Sequence, residues 1–176
     1  MINSDSKINP ADLAREALKH YFEKGSLPKF SQSLPPDYNI RAGAFVTLKK
    51  GSQLRGCIGT VQAVEENLAK EISANAVSAA VRDPRFTPVR SDELDELSIS
   101  VDILSPMERI ESESDLDPKK YGVLMRSGSR SGLLLPDLES VNSVEEQLTI
   151  VRQKAGIARG EPVELYRFTV SRYGEK

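Results

Sequence analysis

The sequence predicts an α+β fold, with antiparallel strands flanked by helices. Three observations predict it. Residues 97–103 alternate, with Leu97, Ile99, Val101 and Ile103 on one side and Ser98, Ser100 and Asp102 on the other. That is the pattern of a strand with one wet face, which favours antiparallel pairing. Residues 44–49 and 54–60 are two further β-like runs around Gly51-Ser52, and they read as a hairpin. Strands and helices then mix without regular β-α-β alternation, which sets α+β above a doubly wound sheet.

The elements follow in order. Asn9 is placed to cap a first helix and Pro10 fits its first position. Leu13, Ala17 and Tyr21, widened by Ala14 and Leu18, form its apolar stripe, and Gly25 suits the left-handed stop. Residues 26–41 hold three prolines and few apolar anchors, and read as a surface loop. After the hairpin, a second helix is predicted over 64–81. Glu65 and Glu66 stand at its positive end, Arg82 at its negative end, and Leu68, Ile72, Ala76 and Ala79 on its buried face. Asp83-Pro84 stops it. A charged loop is expected over 111–120, short strands over 122–126 and 132–135, and a polar loop between them. Ser143 and Glu146 make a capping box for a third helix, whose inward stripe is Val144, Leu148, Val151 and Ala155 and whose stop is Gly156. One last strand is predicted over 162–172.

At 176 residues the chain suits one compact domain with a small annex, predicted over 8–173, with 1–7 as a flexible tail. Its 39% hydrophobic content is enough for a core. A net charge of −2 gives no global attraction for nucleic acid or an anionic membrane. A single cysteine excludes an internal disulfide, and one cysteine with one histidine cannot make a cysteine/histidine zinc tetrad. No carboxylate spacing marks another metal site. The first residues lack the apolar core of a signal peptide, and no apolar run approaches the roughly 18 residues of a membrane span. The expected location is the cytosol.

The chemistry concentrates in Leu54-Arg55-Gly56-Cys57-Ile58-Gly59. On a strand Arg55 and Cys57 share a face, so a permanent cation stands beside the only thiol and favours its reactive thiolate form. Gly56 and Gly59 let a group approach the backbone closely. The competing reading is a lone cysteine packed as a small hydrophobe, with glycines serving a bulge. Three further segments are candidates for the same site. Residues 82–86 form a charged corner, in which Arg85 either assists or pairs with Asp83 to fix the turn. Arg126, Ser127, Ser129 and Arg130 surround freed amides in a Ser/Gly/Arg run able to hold a phosphate or carboxylate, or forming an ordinary hairpin loop. Leu133-Leu134-Leu135 reads as core before a Pro136-Asp137 turn. Only His20 offers Cys57 an imidazole base, and its place near the end of the first helix also suits a charge on the helix dipole.

These segments carry a family resemblance. Residues 54–59 resemble the signature hexapeptide of the AMMECR family, and Asp83-Pro84-Arg85-Phe86-Thr87-Pro88-Val89 resembles its second block. Residues 97–104, Gly132-Leu133-Leu134-Leu135-Pro136 and Lys154-Ala155-Gly156 match later blocks in order. The phrase over 121–157 resembles the bacterial and archaeal branch called AmmeMemoRadiSam system protein A. The resemblance implies an α+β fold, with a larger part built on an antiparallel sheet flanked by helices and a smaller packed subdomain. It also implies a place in a pathway with a Memo-like protein and a radical SAM protein, and a functional role for Arg55, Gly56, Cys57 and Gly59. Two positions depart from the family pattern. Thr87 stands where a proline is common, and Tyr121 stands where many members have histidine, which puts any role of that histidine in doubt here.

Three functions follow as expectations. The favoured one is a non-catalytic binding or adaptor module that docks such partners or delivers a small anionic ligand. The alternative is an enzyme or enzyme subunit, with Cys57 as nucleophile tuned by Arg55 and assisted by Arg85. The weakest is RNA binding through Arg82, Arg85, Arg126 and Arg130, which overall acidity and 6% aromatic content disfavour. No cofactor is identified, and no cysteine cluster exists for an iron–sulfur centre.

Overall fold

The computed structural model describes residues 8–29 and 34–175. The expected tail over 1–7 lies outside the described residues. The α+β expectation holds. Three helices, α1 (Pro10–Lys24), α2 (Leu68–Val81) and α3 (Val144–Ala155), accompany two four-stranded antiparallel sheets among the described residues. The chain forms two compact units, 1–103 with 171–176 and 104–170, each with its own core.

The first unit contains β1 (Ala44–Lys50), β2 (Gln53–Gly59), β3 (Leu97–Leu104) and β8 (Val170–Gly174), in spatial order β2-β1-β3-β8. Asn9 caps α1 by accepting from the Ala11 amide, and Gly25 ends it at φ 70°. α2 packs on α1 and on the β1–β2 hairpin, burying Leu68, Ile72, Ala76 and Ala79 as its periodicity predicts.

The second unit holds β4 (Glu108–Ile110), β5 (Gly122–Ser127), β6 (Arg130–Leu134) and β7 (Glu164–Phe168), in order β4-β7-β5-β6. α3 covers β5 and β6, with Leu148, Val151 and Ala155 in the core. Its Ser143–Glu146 capping box forms as expected, and Gly156 closes it at φ 64°.

Several expectations are corrected. The segment 26–41 is not all surface. Tyr38, in a 3-10 turn over Pro36–Asn39, is fully buried, and its hydroxyl donates to the Ile8 carbonyl at 2.9 Å. α2 starts at Leu68 rather than 64, because Asn67 caps it by accepting from the Lys70 amide. The predicted last strand is two strands in different sheets. β7 ends at Phe168, and Thr169 leaves its ladder by exchanging hydrogen bonds with Ser105, both 2.9 Å. Asp102 does not face water but is buried against Arg172. The expected loop around 127–131 shrinks to a two-residue turn, Gly128-Ser129, because Ser127 and Arg130 pair across the ladder. β4 carries no sequence signal, since three residues are too few to show a period.

Candidate functional site

The hairpin register builds the site. β2 pairs with β1 so that Cys57 stands opposite Thr47, and β1 pairs with β3 so that Thr47 stands opposite Ser100. The register slips between Leu48 and Lys49. Gly56 faces Leu48 and Leu54 faces Lys49, which leaves Arg55 as the extra residue of a bulge. The result is a row of small polar side chains, Cys57, Thr47 and Ser100, across the face of the sheet opposite Val46, Leu48 and Ile99. The Cys57 Sγ lies 3.3 Å from the Thr47 Oγ1.

β2 is an edge strand, so its outward main-chain groups need partners. At Cys57 they come from the corner after α2. The Cys57 amide donates to the Asp83 Oδ2 at 2.9 Å, and the Cys57 carbonyl accepts from the Arg85 Nη2 at 3.0 Å. Asp83 and Arg85 are bonded to each other at 2.9 and 2.7 Å, so the pair caps the edge as a neighbouring strand would. Asp83 is 5% exposed while Arg85 is open to solvent. Hydrogen bonds from Arg85 hold the Asp83 carboxyl well below the usual carboxylate range against the opposing effect of burial, and the Cys57 amide adds to them. Arg85 is in turn pushed above its ordinary value, first by Asp83 and, to a smaller extent, by attraction to Cys57. The cation bonded to Cys57 is therefore Arg85, through the main-chain carbonyl.

Arg55 is committed elsewhere. Its Nε and Nη2 reach the Glu93 carboxylate at 3.1 and 3.2 Å, and its Nη1 donates to the Thr87 carbonyl at 2.8 Å. It thereby ties the bulge to the 87–93 segment. The two glycines are also accounted for within the fold. A Cβ at Gly56 would stand 2.1 Å from the Ala79 carbonyl oxygen of α2, and one at Gly59 would stand 2.2 Å from the Phe45 ring. The close approach predicted for them is made by this chain's own atoms. Among the described residues, the hydrogen bonds at Cys57 come from Thr47, Asp83 and Arg85, with none from His20.

The remaining predicted site residues lie in the second unit. The Arg126 guanidinium stands 5.7 Å from the Tyr166 ring centre. The Ser127 Oγ donates to the Pro162 carbonyl at 2.9 Å. Arg130 pairs with Glu161 and donates to the Gly156 carbonyl at 2.6 Å, while Ser129 is exposed in the tight turn. A cleft of about 810 Å³ lies beside α3 in the same unit, and none of the predicted site residues lines it. Among the described residues, no group of three or more His, Cys, Asp or Glu is placed to hold a metal ion. Among them, too, no helix is long and apolar enough to cross a membrane.

Thr47, Asp83 and Ser100 are the residues that the motif reading undervalued. Period-two alternation puts Ser100 on the wet face of its strand, but only the register brings it beside Thr47 and Cys57.

The AMMECR1 family model matches residues 11–173, which is nearly the whole chain. The chain belongs to the AMMECR1 family. A Thermotoga maritima protein is 52% identical over 163 residues, covering 91% of this chain and 94% of that protein. A Clostridium acetobutylicum protein is 46% identical over 169 residues; the match covers 93% of this chain but 35% of that protein. The crystal structure of PH0010, described as an uncharacterised protein from Pyrococcus horikoshii, superposes with a TM-score of 0.87 at 32% identity, covering 95% of this chain and 90% of that one. The AMMECR1 domain thus occurs both as almost an entire chain and as about a third of a longer one.

Proposed function

We propose that this chain is a non-catalytic binding or adaptor component of the AmmeMemoRadiSam type, acting with Memo-like and radical SAM partners. The observation that carries the reading is how the hexapeptide is used. Gly56 and Gly59 admit the chain's own atoms, Arg55 holds the 87–93 segment, and the Asp83–Arg85 pair closes the strand edge over Cys57. These are the contacts of a rigid platform. A base-activated nucleophile needs a positioned base within hydrogen-bond reach, and the Cys57 thiol has a threonine hydroxyl instead. Arg85, exposed and held charged, is the group that meets a small anionic ligand or an acidic partner residue. The relative in which this domain is about a third of the chain supports work done in company with other polypeptide.

The enzyme reading keeps one specific support, which is the Arg85 guanidinium on the main-chain carbonyl of the residue that carries the sole thiol. Co-purification with the Memo-like and radical SAM proteins of the same organism separates the two. On the adaptor reading, wild type and Cys57→Ala associate equally well, and Arg85→Glu weakens association at least tenfold. Absence of association by wild type overturns it. So does a Cys57→Ala protein that folds and associates normally but leaves the reconstituted pathway without turnover, which is the enzyme outcome.

A further inference from the structure

The chain passes from one unit to the other at two places, after Ile103 and after Val170. The two places adjoin, because β3 and β8 are neighbours in the first sheet and β4 and β7 are neighbours in the second. The strands β3–β4 and β7–β8 therefore run as one two-stranded ribbon through both sheets. Its register is readable from its bonds. From Asp102, bonded to Arg172, to Ser105, bonded to Thr169, is three residues in each strand. From Ser105 to Glu108, which stands opposite Arg167, is again three residues in one strand but two in the other. One residue is in excess between Ser105 and Glu108, in a segment that carries Pro106.

Such a bulge bends and twists the strand that holds it, and a proline there has no amide to give the ladder. The ladder is thin at this point. The Ser105 amide donates to the Thr169 carbonyl, but the Thr169 amide donates to the Ser105 hydroxyl instead of its carbonyl, both at 2.9 Å. On either side the ribbon is clamped. Arg172 donates to Asp102 at 2.7 and 3.0 Å, and Arg167 donates to Glu108 at 2.9 and 3.0 Å. Phe168 is seated within the second unit, its ring so close to Gly122 that a Cβ there would stand 2.3 Å away. Ser105, Pro106, Met107 and Thr169 belong to neither core, and none of them is buried. Segments with few buried apolar contacts are the ones that open most easily.

We propose that this bulge is a hinge. Bending is confined to Ser105, Pro106 and Met107 on one strand and Thr169 on the other, and each unit turns about it as a body with its own core. Two strands side by side leave one easy direction, out of the plane of the ribbon, since bending within that plane has to slide one strand past the other. The hinge is independent of the binding reading and holds equally for an adaptor and for an enzyme.

Residual dipolar couplings of the backbone amides, measured in a dilute aligning medium, test the proposal. Couplings from 8–103 and from 108–167 are fitted separately. Each set is expected to fit well alone, and the two alignment tensors are expected to differ in magnitude by more than the error of the fits. Deleting Pro106 removes the excess residue and lets the ladder run on, so the two magnitudes are expected to converge. Ser105→Ala takes the acceptor from the Thr169 amide and is expected to part them further. If the deletion does not fold, Ser105→Ala alone supplies the comparison. Two results overturn the proposal. One is a single tensor that fits both units of the wild type. The other is a ratio of magnitudes that Ser105→Ala leaves unchanged, which puts the motion elsewhere in the chain.

Discussion

Asp83 accepts from the Cys57 amide and from Arg85 while almost fully buried, so the edge of β2 depends on its charge. Its carboxyl titrates below the ordinary range in the folded chain, chiefly because of the hydrogen bonds from Arg85. A group with a depressed folded value adds stability that is complete above its unfolded range, near pH 4, and is lost as pH falls through the folded value. Asp83→Asn is therefore expected to cost about 1.5–3 kcal/mol at pH 7. Its deficit relative to wild type should shrink as pH drops below about 4. Urea unfolding of both proteins at pH 7 and pH 3 measures this. A deficit that stays constant between the two would show that Asp83 contributes through shape rather than charge.

The start of α2 shows how contacts outside a helix, added to its Asn67 cap, set an element boundary. The periodicity runs back to residue 64, and Glu65 and Glu66 suit a helix N-terminus. Yet the buried carboxylate of Glu71 accepts from the Val64 and Glu65 amides at 2.8 and 2.7 Å and from the Thr60 hydroxyl at 2.6 Å. Glu71 thus holds the 64–65 amides in a loop, and the Leu68 amide, which a helix begun at 64 would give to the Val64 carbonyl, donates to the Ile40 carbonyl at 2.8 Å instead. Asn75 holds the same corner by donating to the Ala44 carbonyl at 3.0 Å. Glu71→Gln turns an N–H group toward one of these donors and removes a charge-assisted acceptor. The expected loss is about 1–3 kcal/mol. It should appear as a lower melting temperature, with faster amide exchange at Val64 and Glu65. Unchanged exchange at these two amides would mean that the loop is held without the carboxylate.

The first unit is made from both ends of the chain, and the second is inserted between β3 and β8. The closure is polar. Arg15 on α1 pairs with Glu175 and donates to the Leu94 carbonyl at 2.8 Å, and Glu175 accepts from the Ile99 amide at 2.8 Å. The Asn9 side chain donates to the Gly174 carbonyl at 3.0 Å. Ending the chain after Val170 removes β8 and Glu175, and it takes Arg172 from the buried Asp102. Arg172 is half-exposed, so losing its hydrogen bonds to Asp102 costs about 1.5–3 kcal/mol. Amides of β1 and β3 are then expected to lose protection by a hundredfold or more, while those of β5 keep theirs, since the second core lies within 104–170. Slow exchange retained in β1 and β3 would show that the terminal clasp is dispensable.

The α+β class, the three helices, the caps of α1 and α3, the β1–β2 hairpin and the site motif are legible in the sequence alone. Caps and amphipathic stripes are local, so Asn9, Gly25, the Ser143–Glu146 box and Gly156 are legible over one or two helical turns. The tertiary structure alone decided what the motif residues touch. Alternation puts Arg55 and Cys57 on one face, but a bulge and the distant Glu93 draw the Arg55 guanidinium away, and it is Arg85 that reaches Cys57, at its carbonyl. The same holds where one apolar run over 162–172 was divided between two sheets at Thr169, and where Tyr38 went into the core from a proline-rich loop. In each case the deciding partner lies far along the chain. A local pattern records which side a residue faces, and only folding brings up the group that waits there.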